Sequence, residues 1–391
     1  MIESDQHDKM DAVRQEVGKM KLLRVKANHF KNCCDGFTID LTSKSRKTAE
    51  DKEYELQEIA PDLHVFNTAA FIGKNASGKT TAIELLDCAY SILGEFRLEG
   101  KHYSYDGVEL EITFFHAGYL YRYETVLSSG NTMGNQAIFR NERIFRKEFF
   151  KTNAKEIFEE DGYEKMTDLG DLPEDTSDVF FILKQKKTRA VFFDSYSGGA
   201  DTYQLLFRAL KNYGISMDVL AKIIRIFDET IKELARIDDH NYRVMTENGE
   251  RFMSDTQLIY FLSSGTTKGI LLYTLMAASL NEGFDLLIDE VENHFHKTLV
   301  ENMISLYKDK SVNRNNATLI FTTHYCEVLD QMGRQDNIWI CNANSCIHLT
   351  NMYEDYHIRP VLLKSKQYYN TAFRTAVNYE DLMALKKVLK Q

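Results

Sequence analysis

Hydrophobic and polar positions fall into distinct patterns along the chain. FNTAAFI (66–72) is almost continuously apolar and predicts a buried strand, whereas Ile83, Leu85, Leu86, Ala89 and Ile92 recur at helical spacing immediately downstream. VELEITFFHAGYLYRYETVL (108–127) alternates in the manner of strands in an antiparallel sheet. Residues from about 201 to 236 carry an apolar stripe at helical spacing and predict a compact helical arm or lid, too short and too poor in heptads for a long coiled coil. Farther on, IYFLSSGTTKGILLYTLMAASL predicts an apolar helix, and FDLLIDE and ATLIFTTHYCEVL each begin with a short apolar strand. The charged segments 43–57 and 151–178 read as solvated loops or exposed helices.

Composition narrows the class. A chain of 391 residues with 43% apolar content can build a large core, as one domain with an insertion or as two domains. Three prolines and twenty glycines leave few forced breaks, which favours long helices and compact turns. The net charge of -10 makes any nucleic-acid surface a local one. KQKKTR (184–189), flanked by Phe180, Phe181, Phe192 and Phe193, is the densest basic run; it is read first as a solvated face, with nucleic acid or an acidic partner as the alternative. Six cysteines without a C-x-x-C pair suggest a reduced cytoplasmic protein. No window of about 18 apolar residues occurs and the first twenty residues are polar, so neither a membrane span nor a signal peptide is expected.

Candidate chemistry centres on GKNASGKT (73–80). A G-x-x-x-x-G-K-T loop between an apolar strand and a helix lets backbone N–H groups surround a phosphate. Gly73, Asn75 and Gly78 shape the loop, Lys79 brings positive charge, Thr80 offers a Mg²⁺ ligand, and Thr81 follows in the nucleotide-binding set. Ser263 and Gly265 lie in a serine–glycine cluster that opens the later apolar helix; alone, this is as readily an N-cap. LLIDEVENHFHKTL raises two readings of its own. Its carboxylates can end a nucleotide-site strand, or His294 and His296, spaced H-x-H, can hold Zn²⁺ or Mn²⁺. His324 ends another apolar strand 35 residues beyond Asp289.

The order of P-loop, serine–glycine helix, Asp-Glu strand and strand-His resembles that of ABC-type ATPases. Within that class the chain looks like the chromosome-maintenance, recombination-mediator and overcoming-lysogenization-defect-like branch of soluble prokaryotic ATPases. Besides the P-loop, LLRVKANHFKNCCDGFTIDL is similar to that branch's first hairpin, and DEVENHFH stands where its Walker B stands. The closing segment from Arg359 is also similar, while 146–256 matches no motif.

The resemblance implies an α/β P-loop NTPase of ABC type: a two-lobed head with a mixed sheet and a helical insertion. The expected organisation is a polar extension at 1–20, lobe I at 21–145, a mainly helical insertion at 146–256 and lobe II at 257–391. By the same resemblance, Asp289 holds Mg²⁺ through water, Glu290 polarises the attacking water and His324 bonds the γ-phosphate. Lys31 joins the ATP-binding set, and Ser263 and Gly265 of one copy cap the nucleotide of another. The glutamine-loop residue stays open between Gln136 and Gln185.

The expected partners are a second copy, or a higher homo-oligomer, and a separate effector such as a nuclease. No nuclease-like constellation appears after residue 325. ATP hydrolysis in anti-phage defence is the implied function, with a DNA-binding repair or recombination ATPase as the alternative. A transporter subunit and a metal-dependent nuclease are the more distant rivals.

Overall fold

The structure is a computed structural model of the chain, describing residues 20–99, 103–130, 136–194, 206, 208–238, 240–262, 264–293, 295–356, 363–369 and 379–389. It divides into two compact units. The first comprises Met1–Phe66, Ala70–Lys186 and Thr323–Gln391, and the second Asn67–Ala69 and Lys187–Thr322. These boundaries differ from the sequence divisions at 145 and 256. The C-terminal portion returns to the first unit because Ile338–Ala343 runs parallel to Ala70–Ile72, pairing Ile338 with Ala70 and Ile340 with Ile72.

The first unit is built on an antiparallel sheet. Lys21–Asn28 lies between Phe37–Asp40 and Glu109–His116, and the sheet continues through Tyr119–Ser129, Ala137–Glu148 and the short Glu164–Lys165. Successive strand side chains point to opposite faces, so the adjacent Phe114 and Phe115 pack in different directions. Phe114 stacks on its cross-strand partner Tyr121 at 5.2 Å between ring centroids. Phe115 instead joins Leu23, Leu63, Val65, Leu120 and Ile157 in a buried cluster. Burial of each large apolar side chain contributes roughly 1.5–3 kcal/mol, which makes such clusters the main source of cohesion.

A buried ionic cluster ties distant parts of this unit together. The Arg334 side chain is only 2% exposed and meets Asp336 twice, through Nε at 2.8 Å and Nη2 at 2.6 Å. It also pairs with Asp51 at 3.1 Å and donates to the Ser43 hydroxyl at 3.0 Å and the Ser45 hydroxyl at 2.5 Å. The Lys44 and Ser45 backbone amides both donate to Asp336 at 2.9 Å. Each buried charge is thereby paired and hydrogen-bonded, the condition under which burial is tolerated.

In the second unit, Ala190–Phe193, Asp285–Ile288 and Leu319–Thr323 form consecutive parallel neighbours. Helices Met217–Phe227, Ser264–Glu282 and Lys297–Lys308 belong to the same part of the chain. Phe227, Tyr273 and Phe295 contact one another with centroids 5.4–5.7 Å apart. Gly269 admits this packing: a Cβ there would lie 2.4 Å from the Phe227 ring.

The expectation that 146–256 is mainly helical is corrected. Met217–Phe227 is helical, but Ile231–Arg236, Asn241–Thr246 and Gly249–Ser254 form a three-stranded antiparallel sheet. Ile231 and Leu234 are spaced like residues on one helix turn, yet a register shift between Ile231 and Glu233 lets both be buried in a strand. A bulge adds a residue and shifts the usual two-residue alternation, producing an apparent helical spacing. The alternating stretch 108–127 does form the expected strands, and most of 151–178 lacks extended regular structure. Among the described residues, no helix is long and apolar enough to cross a membrane.

Arg334→Ala should destabilise the protein by about 3–5 kcal/mol, because it leaves Asp336 buried without its cation. Urea unfolding should show this loss, whereas a change below about 0.5 kcal/mol, typical of a neutral surface substitution, would refute the assigned importance of the cluster.

Candidate nucleotide-binding site

The P-loop connects Thr68–Ile72 to helix Lys79–Glu95. Its backbone requires unusually close packing at both glycines. A Cβ on Gly73 would lie 2.6 Å from the Cys341 carbonyl oxygen, and one on Gly78 would lie 2.3 Å from Ile347 Cγ2. Gly78 also has φ of 96°, a conformation glycine adopts without the usual side-chain penalty. Between them, Ser77 N donates to the Lys74 carbonyl at 3.2 Å, closing the turn.

Lys79 is 5% exposed, and its Nζ donates to the carbonyl oxygens of Gly73 at 3.1 Å and Lys74 at 3.2 Å. Asn75 is exposed, Thr80 is half-buried and Thr81 is buried. Lys31, in the turn after Lys21–Asn28, pairs with Glu84 on the helix Lys79–Glu95 and lies with its ammonium 4.0 Å from the Tyr103 ring centroid. His324, half-buried, follows strand Leu319–Thr323 and accepts a hydrogen bond from Cys326 N through its backbone oxygen at 3.1 Å.

The carboxylate group of the second unit is arranged around Thr322. Asp289 is fully buried at the end of Asp285–Ile288, and its amide donates to Phe193 O at 3.0 Å. Thr322 Oγ1 donates to Asp289 Oδ1 at 2.7 Å and accepts from Glu290 N at 2.6 Å. Thus one hydroxyl fixes both consecutive acidic residues. Glu290 has φ of 48°, uncommon for a residue with a Cβ, and Asn293 donates to its carboxylate at 2.5 Å.

The structure brings together the P-loop residues with Lys31 in the first unit, and Asp289 with Glu290 in the second. Gly265 belongs to the latter unit and is exposed, with nothing within 4 Å of an added Cβ. Ser263 and His294 lie outside the described residues. His296 is exposed, with its ring 3.4 Å from the Thr298 hydroxyl. No group of three His, Cys, Asp or Glu residues suited to a metal occurs among the described residues. Sequence reasoning missed Thr322 and Asn293; the polar end of the apolar run LIFTT was the signal for the former.

Cys34 and Cys346 are joined by a disulfide, a pairing that cysteine spacing in the sequence does not indicate. Their 312-residue separation hides the proximity that folding creates.

A family model described as "AAA domain, putative AbiEii toxin, Type IV TA system" matches residues 69–330. Among solved structures, the crystal structure of the SmcHead bound to the C-winged helix domain of ScpA is similar at 10% sequence identity. The match covers 84% of this chain and 96% of that chain, with a TM-score of 0.40. No match was found among curated proteins.

Thr322→Val should cost about 1–3 kcal/mol by leaving the buried Asp289 carboxylate and the half-buried Glu290 amide without their shared hydroxyl. Thr322→Ser should retain most stability. Equal urea midpoints for wild type and the valine variant, at unchanged slope, would overturn this assignment.

Proposed function

This chain belongs to the AAA-domain family, and from that premise we propose that it is an ATP-dependent switch in a bacterial toxin-type or anti-phage defence system, with ATP binding and hydrolysis controlling a separate effector. The observation that carries the nucleotide reading is the P-loop's folded geometry: two tightly packed glycines precede a helix while the buried Lys79 ammonium is held at the loop carbonyls. Together these features favour a phosphate-binding loop over an ordinary turn. The biological setting is supported by the family description, and the effector assignment is carried from the ABC-type resemblance.

Lys79 and the loop amides bind the phosphates, while Gly73, Asn75 and Gly78 maintain their approach. Each of Thr80 and Asp289 offers by its own chemistry an oxygen that would hold Mg²⁺: Thr80 a hydroxyl at the P-loop helix start, and Asp289 a buried carboxylate oriented by Thr322. Bound Mg²⁺ would neutralise charge on the β- and γ-phosphate oxygens. Glu290 accepts a proton from the attacking water as its oxygen adds to the γ-phosphorus, and the γ-phosphorus–oxygen bond to ADP breaks. His324 contacts the γ-phosphate, and Lys31 and Thr81 support nucleotide binding. The exposed Gly265, with Ser263, offers the cap to the nucleotide of a second copy. ATP therefore favours an engaged homo-oligomer, and hydrolysis releases it.

Lys79→Ala should weaken ATP binding roughly ten- to hundredfold by deleting a charge-assisted contact. Glu290→Gln should retain binding while turnover falls about 10²–10⁴-fold and the ATP-bound oligomer persists. Calorimetry, phosphate release and sedimentation distinguish these effects. Unchanged ATP affinity in the alanine variant would sink the phosphate role, while wild-type turnover by the glutamine variant would sink the general-base role.

A further inference from the structure

The Cys34–Cys346 bond occupies a position connected to both ends of the P-loop. Strands Ile338–Ala343 and Ile347–Asn351 form an antiparallel pair, with Cys346 immediately before the second strand. The Cys341 carbonyl occupies the close space beside Gly73, while Ile347 occupies that beside Gly78. The same hairpin therefore packs against the beginning and end of the phosphate loop.

On the other side of the disulfide, the turn containing Lys31 is bonded directly to this hairpin. Ile347 N donates to Asn32 O at 2.8 Å, and Cys34 N donates to Ile347 O at 2.9 Å. Lys31, three residues before Cys34, pairs with Glu84 on the P-loop helix. These contacts form a closed circuit: hairpin, phosphate loop, helix, Lys31 turn, and back to the hairpin. The disulfide is the covalent closure of that circuit.

From this placement, we propose that Cys34 and Cys346 constitute a reversible thiol–disulfide modification site, reduced by a dithiol, whose bonded form holds the P-loop ready for ATP. The coupling rests on the nucleotide-binding reading above. Both cysteines are half-buried, beside the exposed Asn344 and Ser345, so the bond lies next to a solvent-facing turn. Cys33 and Cys341 provide a contrast: both are buried, and burial pushes their thiols up to about 12, favouring the thiol over the reactive thiolate.

A thiolate of the reductant attacks one sulfur of the pair. The Cys34–Cys346 S–S bond breaks, a mixed disulfide forms and the other cysteine leaves as a thiolate. The reductant's second thiolate then attacks the mixed disulfide and releases the remaining cysteine. Two electrons pass to the protein, its cysteines take up two protons, and the dithiol becomes a disulfide. With the covalent closure gone, the Lys31 turn and the hairpin are joined here by noncovalent contacts, and ATP binding must additionally order the loop.

The test uses the full chain purified without reductant. Its affinity for a fluorescent ATP analogue with Mg²⁺ is measured before and after dithiothreitol, while alkylation and peptide mapping report the cysteine states. Reduction should break the mapped Cys34–Cys346 link and weaken nucleotide binding roughly tenfold, reflecting the lost preorganisation, with the circular dichroism spectrum retained. The double variant Cys34→Ser, Cys346→Ser should bind like reduced wild type and should not respond to dithiothreitol.

Equal affinity of the mapped linked and reduced forms would overturn the coupling while leaving ATP binding intact. Alkylation of both Cys34 and Cys346 in the folded, unreduced chain would overturn the modification site itself. Failure of every wild-type form to bind the analogue would instead defeat the nucleotide reading and its redox coupling together, with the mapping still deciding the fate of the bond. Should the double variant unfold, the wild-type comparison before and after reduction remains decisive.

Discussion

The cost of burying a charged or polar group governs the candidate site. Lys79 is almost fully buried, yet its ammonium has carbonyl oxygens at Gly73 and Lys74. Presenting those oxygens requires the backbone to curl, and the curl in turn requires space at Gly73 and Gly78. Sequence thus acts through backbone chemistry here: removing two side chains permits a loop whose carbonyls accommodate the lysine and which leads directly into the helix Lys79–Glu95. The same constraint explains Thr322, whose hydroxyl satisfies the buried Asp289 carboxylate and the half-buried Glu290 amide, and the many oxygen partners of Arg334.

Local spacing made much of this chemistry legible. The P-loop strand and helix, the antiparallel stretch 108–127 and the Asp-Glu strand end all occupy the elements expected from their hydrophobic patterns. The segment Ile231–Arg236 defeated the same method because a bulge makes buried strand residues repeat three positions apart. Thr322 was hidden for another reason. Its significance depends on a hydroxyl reaching residues 33 and 32 positions away, to Asp289 and Glu290 respectively. Neither alternation nor local propensity encodes such a contact, and the same nonlocality conceals Cys34 beside Cys346.

Glycine exposes the difference between a fold requirement and a surface opportunity. Gly78 is required because both its φ and the adjacent Ile347 oppose a side chain. Gly269 is required because the Phe227 ring occupies the place of a Cβ. Gly265 has neither close packing nor a positive φ: it is exposed at the start of a helix, with space for a methyl group. The packing of its own chain therefore does not demand glycine here, and the open space is what the proposed cap on another copy would use. Both serine–glycine readings from the sequence are compatible with this opening: an N-cap accounts for the polar helix start, and the space beside Gly265 leaves a ligand room to approach it.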